Sequence, residues 1–217
     1  MGHVADKISS LAEEKDVDLV ISANRGRSGL KRLILGSVTE RLMRVLPCPL
    51  LIVRCPKHDF AASAKQEIKF QRILVGCDFS PDSNLAFQYG ISLAQEFQSD
   101  LHLAHVIEPP VYKDLLKPAI GAGEKDQQDM RDQLNEKLTE MVPEDALNWC
   151  SPKTVLLAGQ PYEELSKYAV VQDVDLIVLG IRGRSLVETL LVGSTTARVV
   201  RRSSCPVLSV RPTVQGD

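Results

Sequence analysis

No apolar run in this chain is long enough to cross a bilayer as a helix, and residues 1–20 carry too many charges for a secretory leader. These two absences give the expectation of a cytoplasmic protein without a membrane partner. An excess of one charge is also missing: 26 Lys and Arg stand against 28 Asp and Glu, a formal net charge of −2. So near a balance argues against nucleic acid or an acidic lipid surface as the main partner, although the N-terminal piece alone is mildly basic. Five cysteines, an odd number with no Cys-x-x-Cys pair, suit a reducing compartment better than a disulfide framework. His102 and His105 lie three apart on a strand-like stretch and so face opposite ways, and no other His or Cys grouping has metal-ligand spacing. There is no Walker lysine pattern, nucleophile elbow or conspicuous acid–base pair, so no catalytic residue is assigned.

What the chain does have is a long internal repeat. Shifted by about 157 residues, Gly2–Arg54 lies over Gly159–Arg211 without a gap, and roughly two residues in five match. Asp16-Val17-Asp18-Leu19 falls on Asp173-Val174-Asp175-Leu176, and Arg25-Gly26-Arg27-Ser28 on Arg182-Gly183-Arg184-Ser185. Gly36-Ser37 falls on Gly193-Ser194, and Cys48-Pro49 on Cys205-Pro206. A period this long is a duplicated domain and not a solenoid. The expected organisation is the C-terminal part of one domain over residues 1–54, a linker over 55–68, a complete second domain over 69–212 and a tail over 213–217.

The repeat carries a phosphate-cradle pattern: Gly180-Ile181-Arg182-Gly183, nine residues, then Gly193-Ser194-Thr195-Thr196. Glycine at a strand end lets the backbone approach a ligand that a Cβ would block. A Gly-Ser-Thr step into a helix offers unpaired N–H groups and a helix dipole to an anion. The first copy has Ala23 where the second has Gly180. Single glycines of this kind are ordinarily turn residues; the spacing and the Ser-Thr-Thr step favour phosphate.

Periodicity places helices at Val4–Lys15, Val38–Val45, Asp82–Phe97, Glu124–Met141 and Tyr162–Val171, with another over Ala197–Arg202. Short apolar runs give strands at Val17–Ser22, Leu50–Val53, Arg72–Cys77, Leu101–Ile107, Lys153–Leu157, Val174–Leu179 and Pro206–Val210. Strand–helix alternation implies an α/β fold with a parallel sheet flanked by helices. Ligands of such sheets sit beyond the carboxyl ends of the strands, where Asp78 and Gly180 both fall. Asp78 could instead cap the following helix, as could Ser80 or Asp82. Arg182 and Arg184 could reach phosphates or remain solvated; Cys48 and Cys205 read as small buried hydrophobes.

These residues resemble the universal stress protein family in its tandem-domain form. The resemblance rests on Gly180, Gly183, Gly193 and Ser194, on the opening Ile73-Leu74-Val75-Gly76-Cys77-Asp78-Phe79-Ser80, on Leu103-Ala104-His105-Val106-Ile107, and on the closing Cys205-Pro206-Val207-Leu208-Ser209-Val210. It implies a Rossmann-like (HUP-type) five-stranded parallel sheet of order 3-2-1-4-5, preceded by a partial copy of the same fold. It also implies ATP, or AMP or ADP, as ligand, with Mg²⁺ or Mn²⁺ held through the phosphates. Carried over, Gly76, Cys77, Asp78 and the backbone beside Val106 would hold the adenine and ribose. Gly180, Arg182, Gly183, Gly193, Ser194, Thr195 and Thr196 would surround ribose and phosphates. The expected function is a nucleotide-dependent stress-response module acting by association, through terminal strands Leu50–Val53 and Val207–Val210 paired within or between chains. The alternatives are a dimeric scaffold with a vestigial cradle and a slow ATP hydrolase.

Overall fold

The continuous apolar runs Ile73-Leu74-Val75 and Leu176-Ile177-Val178-Leu179 suit strands covered on both faces. In the computed structural model, which describes residues 3–23, 35–53, 69–108, 124–183 and 192–212, both are fully buried. The elements in chain order are α1 (Val4–Glu14), β1 (Val20–Ala23), α2 (Ser37–Val45), β2 (Leu50–Val53), β3 (Arg72–Gly76), α3 (Pro81–Phe97) and β4 (Asp100–Ile107). There follow α4 (Glu124–Glu140), a 3-10 turn (Glu144–Asn148), β5 (Lys153–Ala158), α5 (Pro161–Val171), β6 (Leu176–Gly180), α6 (Ser194–Arg202) and β7 (Val207–Val210). The linker 55–68, the tail 213–217 and Arg25, Arg27 and Arg184 lie outside the described residues.

The strands form one sheet in the order β1-β2-β7-β6-β3-β4-β5. Its last five members are all parallel and have the expected 3-2-1-4-5 arrangement. The expectation of a five-stranded parallel sheet is nevertheless corrected: the sheet has seven strands and is mixed, because β2 pairs antiparallel with β7. Left as an edge, β7 would present a row of unpaired N–H and C=O groups; β2 satisfies them within the chain. The N-terminal repeat is therefore no separate body, since its strands extend the same sheet. The register pairs Leu50 with Ser209, Leu51 with Leu208 and Ile52 with Val207. Leu51 and Leu208 are repeat equivalents, so a pseudo-two-fold axis passes through that pair. An ion pair across the same axis joins Glu40 of α2 to Arg201 of α6 at 3.7 Å.

Two cores flank the sheet. Leu42 and Met43 of α2, Leu165 and Ala169 of α5 and Val199 and Val200 of α6 pack on Leu50, Ile52, Leu74, Ile177 and Leu179. On the opposite face Ala86, Phe87 and Ala94 of α3 and Leu138 of α4 pack on Ile73, Val75, Leu101, Leu103, Leu176 and Val178. His102 and His105 divide accordingly, His102 meeting Tyr168 of α5 and His105 meeting Phe79.

β1 and β6 begin later than the apolar runs suggest. Asp16 and Asp173 take left-handed φ angles of 50° and 47°. The next amides, Val17 and Val174, donate to the carbonyls of Ala12 and Ala169, each at 2.9 Å. The repeated Asp-Val-Asp-Leu is thus a helix-ending turn that leads into the strand. No helix among the described residues is long and apolar enough to cross a membrane.

Candidate functional site

The chain leaves β3 for one face of the sheet and β6 for the other, and the two strands are hydrogen-bonded neighbours. Such a point of divergence opens a crevice beyond the carboxyl ends. After β3, Phe79 adopts φ 62°, a left-handed backbone that a bulky residue rarely takes. Its ring lies 4.9 Å from the His105 ring and carries the Lys137 ammonium 4.3 Å from its centroid. His105 Nδ1 in turn lies 2.8 Å from the Cys77 carbonyl oxygen. The turn at Phe79 therefore packs an aromatic on the α4 side while Asp78 lines the crevice. The Asp78 carboxylate accepts the Ser80 N–H at 3.0 Å, and the Ser80 hydroxyl accepts the Ser83 N–H at 3.2 Å. Ser80, with Pro81 behind it, is the cap of α3.

Several glycines of the cradle are required by protein contacts. A Cβ on Gly180 would lie 2.6 Å from the Asp82 carbonyl carbon and 2.7 Å from its oxygen, so α3 is seated directly on this residue. That close approach, and not a ligand, is what excludes a side chain there. A Cβ on Gly183 would lie 2.6 Å from Asp78 Oδ2. Gly193 donates its N–H to the Ile181 carbonyl at 2.7 Å, tying the start of α6 to the end of β6.

Two side chains expected at the phosphates are engaged elsewhere. The Arg182 guanidinium makes two hydrogen bonds of 3.0 Å to the Asp82 carboxylate, which also accepts the Arg182 N–H at 3.1 Å. The bond to buried Asp82 raises the Arg182 pKa and joins the end of β6 to the start of α3. The Thr196 hydroxyl donates to the Gly180 carbonyl at 2.7 Å. Thr39, its repeat equivalent, makes the same bond to Ala23 at 3.3 Å. A contact present in both copies is architectural; what Thr196 retains for a ligand is its backbone N–H.

All eleven sequence-predicted residues line one cavity of about 780 Å³. Gly76, Cys77, Asp78 and Val106 form one part of its wall, and Gly180, Arg182, Gly183, Gly193, Ser194, Thr195 and Thr196 another. Other wall residues went unread: Ser83, Met130 and Leu134 of α4, Gln160, Pro161 and Tyr162 at the start of α5, and Arg198. Gln160–Tyr162 follow the carboxyl end of β5, so the rule that led to Asp78 and Gly180 could have found them. Met130, Leu134 and Leu138 recur at helical spacing along α4, and of the three Leu138 alone is fully buried.

The cavity fits a nucleotide. Its volume lies in the range of small-molecule sites, and the first-turn amides of Ser194, Thr195 and Thr196 have no acceptor within α6. Asp78 offers a carboxylate to hydroxyl donors, and Val106, Met130 and Leu134 offer apolar wall to a base. No group of three or more His, Cys, Asp and Glu among the described residues is placed to hold a metal ion. Cys48 and Cys205 are only half-buried; burial pushes the Cys48 thiol up, away from the reactive thiolate.

Comparison with known proteins gives the family and agrees with the fold described above. The profile of the universal stress protein family matches residues 1–54 and 69–211. A universal stress protein of Methanocaldococcus jannaschii is 30% identical over 143 residues, 65% of this chain and 82% of that protein. The solved universal stress protein UspA from Lactobacillus plantarum is 27% identical with a TM-score of 0.57, covering 67% of this chain and 100% of that one. A solved protein of unknown function from Pseudomonas aeruginosa PAO1 superimposes over 98% of this chain and 69% of its own, with a TM-score of 0.72. At 16% identity, that likeness speaks to the fold alone. The chain belongs to the universal stress protein family.

Proposed function

We propose that this chain is an adenine-nucleotide-binding module, with ATP as its principal ligand and Mg²⁺ or Mn²⁺ carried on the phosphates. The carrying observation is that the Asp78 turn, the Val106 strand and the glycine loop before α6 share the wall of one cavity at the β3–β6 divergence. The nucleoside would lie towards Asp78 and Val106, and the phosphates towards the amides of Ser194, Thr195 and Thr196. In this reading residues 1–54 are the C-terminal part of a first domain and contribute no site. Ile21 is 62% exposed, whereas its equivalent Val178 is fully covered by the α3 side of the core. Among its described residues the first copy has no counterpart of α3, and none of these residues lines the cavity.

The module would act in the cytoplasm by nucleotide-dependent association and not by turnover, one associated state binding ATP better than another. Calorimetric titration of the purified chain with ATP and AMP tests this. Binding that is abolished by Gly193→Val supports it, and no heat with either nucleotide rejects it. A scaffold without ligand is the second reading, favoured by the commitment of Arg182 to Asp82 and of the Thr196 hydroxyl to Gly180. Nucleotide released by denaturing protein purified without added ATP, identified by mass, would reject the scaffold.

A further inference from the structure

The two repeats place an arginine at the same helix position and use it differently. In the first, Arg41 of α2 forms a two-pronged pair with Asp6 of α1, with Nε–Oδ1 at 2.7 Å and N–H to Oδ2 at 2.9 Å. The repeat equivalents are Arg198 of α6 and Glu163 of α5. Glu163 does not take Arg198. It accepts the Tyr162 hydroxyl at 2.6 Å and lies 3.7 Å from Arg202. Arg198 instead lies over the Tyr162 ring, 4.8 Å from its centroid, and both side chains line the nucleotide cavity. Arg202 lies at the same distance from that ring.

Arg198 stands one helical turn beyond Ser194, and its guanidinium is held 4.8 Å from the Tyr162 ring at the start of α5. With Arg182 neutralised by Asp82, Arg198 brings to this wall a positive charge that is not committed to a carboxylate. A single phosphate on the α6 amides would lie about one turn, roughly 5 Å, short of it, while a longer polyphosphate would span that gap.

We infer that Arg198, seated on Tyr162, is the residue that reads the outer phosphates and makes the site select nucleoside triphosphates over monophosphates. This rests on the nucleotide reading above and goes beyond it by assigning selectivity to one side chain. Guanidinium contacts to phosphate are charge-assisted and frequently two-pronged, so losing one weakens only a ligand that reaches it.

The test is calorimetric titration of ATP and AMP into the full chain and its R198Q, R198K and R41Q variants. R198Q is expected to weaken ATP about tenfold and AMP by less than about twofold. R198K should recover part of the ATP affinity, because charge returns without the planar fork. R41Q should leave both affinities unchanged, because its pair with Asp6 lies in the other repeat. Equal weakening of ATP and AMP by R198Q would make Arg198 a packing residue and overturn the inference, as would no change in either. If wild-type protein binds neither nucleotide, the nucleotide reading itself falls and the inference with it; binding by wild type with no R198Q selectivity overturns the inference alone.

Discussion

Leu51 and Leu208 face each other across the antiparallel seam between β2 and β7 and hold the same place in the two halves of the internal repeat. One seam thus relates the repeats and joins their strands into a single sheet, and its two central leucines are unequally covered: Leu208 is buried and Leu51 is partly exposed. Leu208→Ala should lower stability by about 2–4 kcal/mol, and Leu51→Ala by about half as much. Urea unfolding of both variants checks this, and a larger loss from Leu51→Ala would contradict the packing described.

Gly180 and Ala23 form a second unequal pair. A methyl at residue 180 would meet the backbone of Asp82 at 2.6 Å, so Gly180→Ala should cost about 1–3 kcal/mol through displacement of α3. The reciprocal Ala23→Gly has no helix to admit and should cost only about 0.5–1 kcal/mol from added backbone freedom. Thermal unfolding of the two single variants reads the difference directly.

Thr196 separates architecture from ligand binding. Thr196→Val keeps the shape but leaves the buried Gly180 carbonyl without the hydroxyl that donates to it, at an expected cost of about 1–2 kcal/mol. ATP affinity of the folded variant should stay within about threefold, since only the backbone N–H of Thr196 is assigned to phosphate. A large loss of affinity at unchanged stability would reverse that assignment.

His102 gives a pH dependence of known sign. Burial, and then the nearby Lys153, lower its pKa below the ordinary value of about 6.5. The unfolded chain therefore binds a proton that the folded chain resists as pH falls below about 6.5, so stability is full above that value and declines towards acid. His102→Gln should flatten the acid side of the stability profile between about pH 6.5 and the lowered folded value. Denaturant unfolding across that window is the measurement; an unchanged slope would place the acid sensitivity elsewhere.

Much of the fold was legible because parallel strands buried on both faces leave unbroken apolar runs, as at Ile73–Val75 and Leu176–Leu179. The site's outline was legible because glycines and Asp78 stand at strand ends. Long-range pairing was not. That Arg182 would turn from the phosphates to Asp82, 100 residues away, depends on how β6 and α3 abut, which no local pattern encodes. Asp82 itself read only as a capping option. Val17 and Val174 look like strand residues because they are apolar, yet the left-handed aspartates before them make them turn residues. The 3-10 turn at Glu144–Asn148 has no periodic signal, and the buried Ala146 that anchors it is too small to give one.

The central claim is that the chain forms one nucleotide site, in its complete repeat, and none in residues 1–54. Calorimetric titration of the purified chain with ATP tests it most directly through stoichiometry. The account predicts one ATP per chain, with a dissociation constant on the order of micromolar, and loss of that binding in Gly193→Val. No binding, or two equivalents per chain, would contradict it.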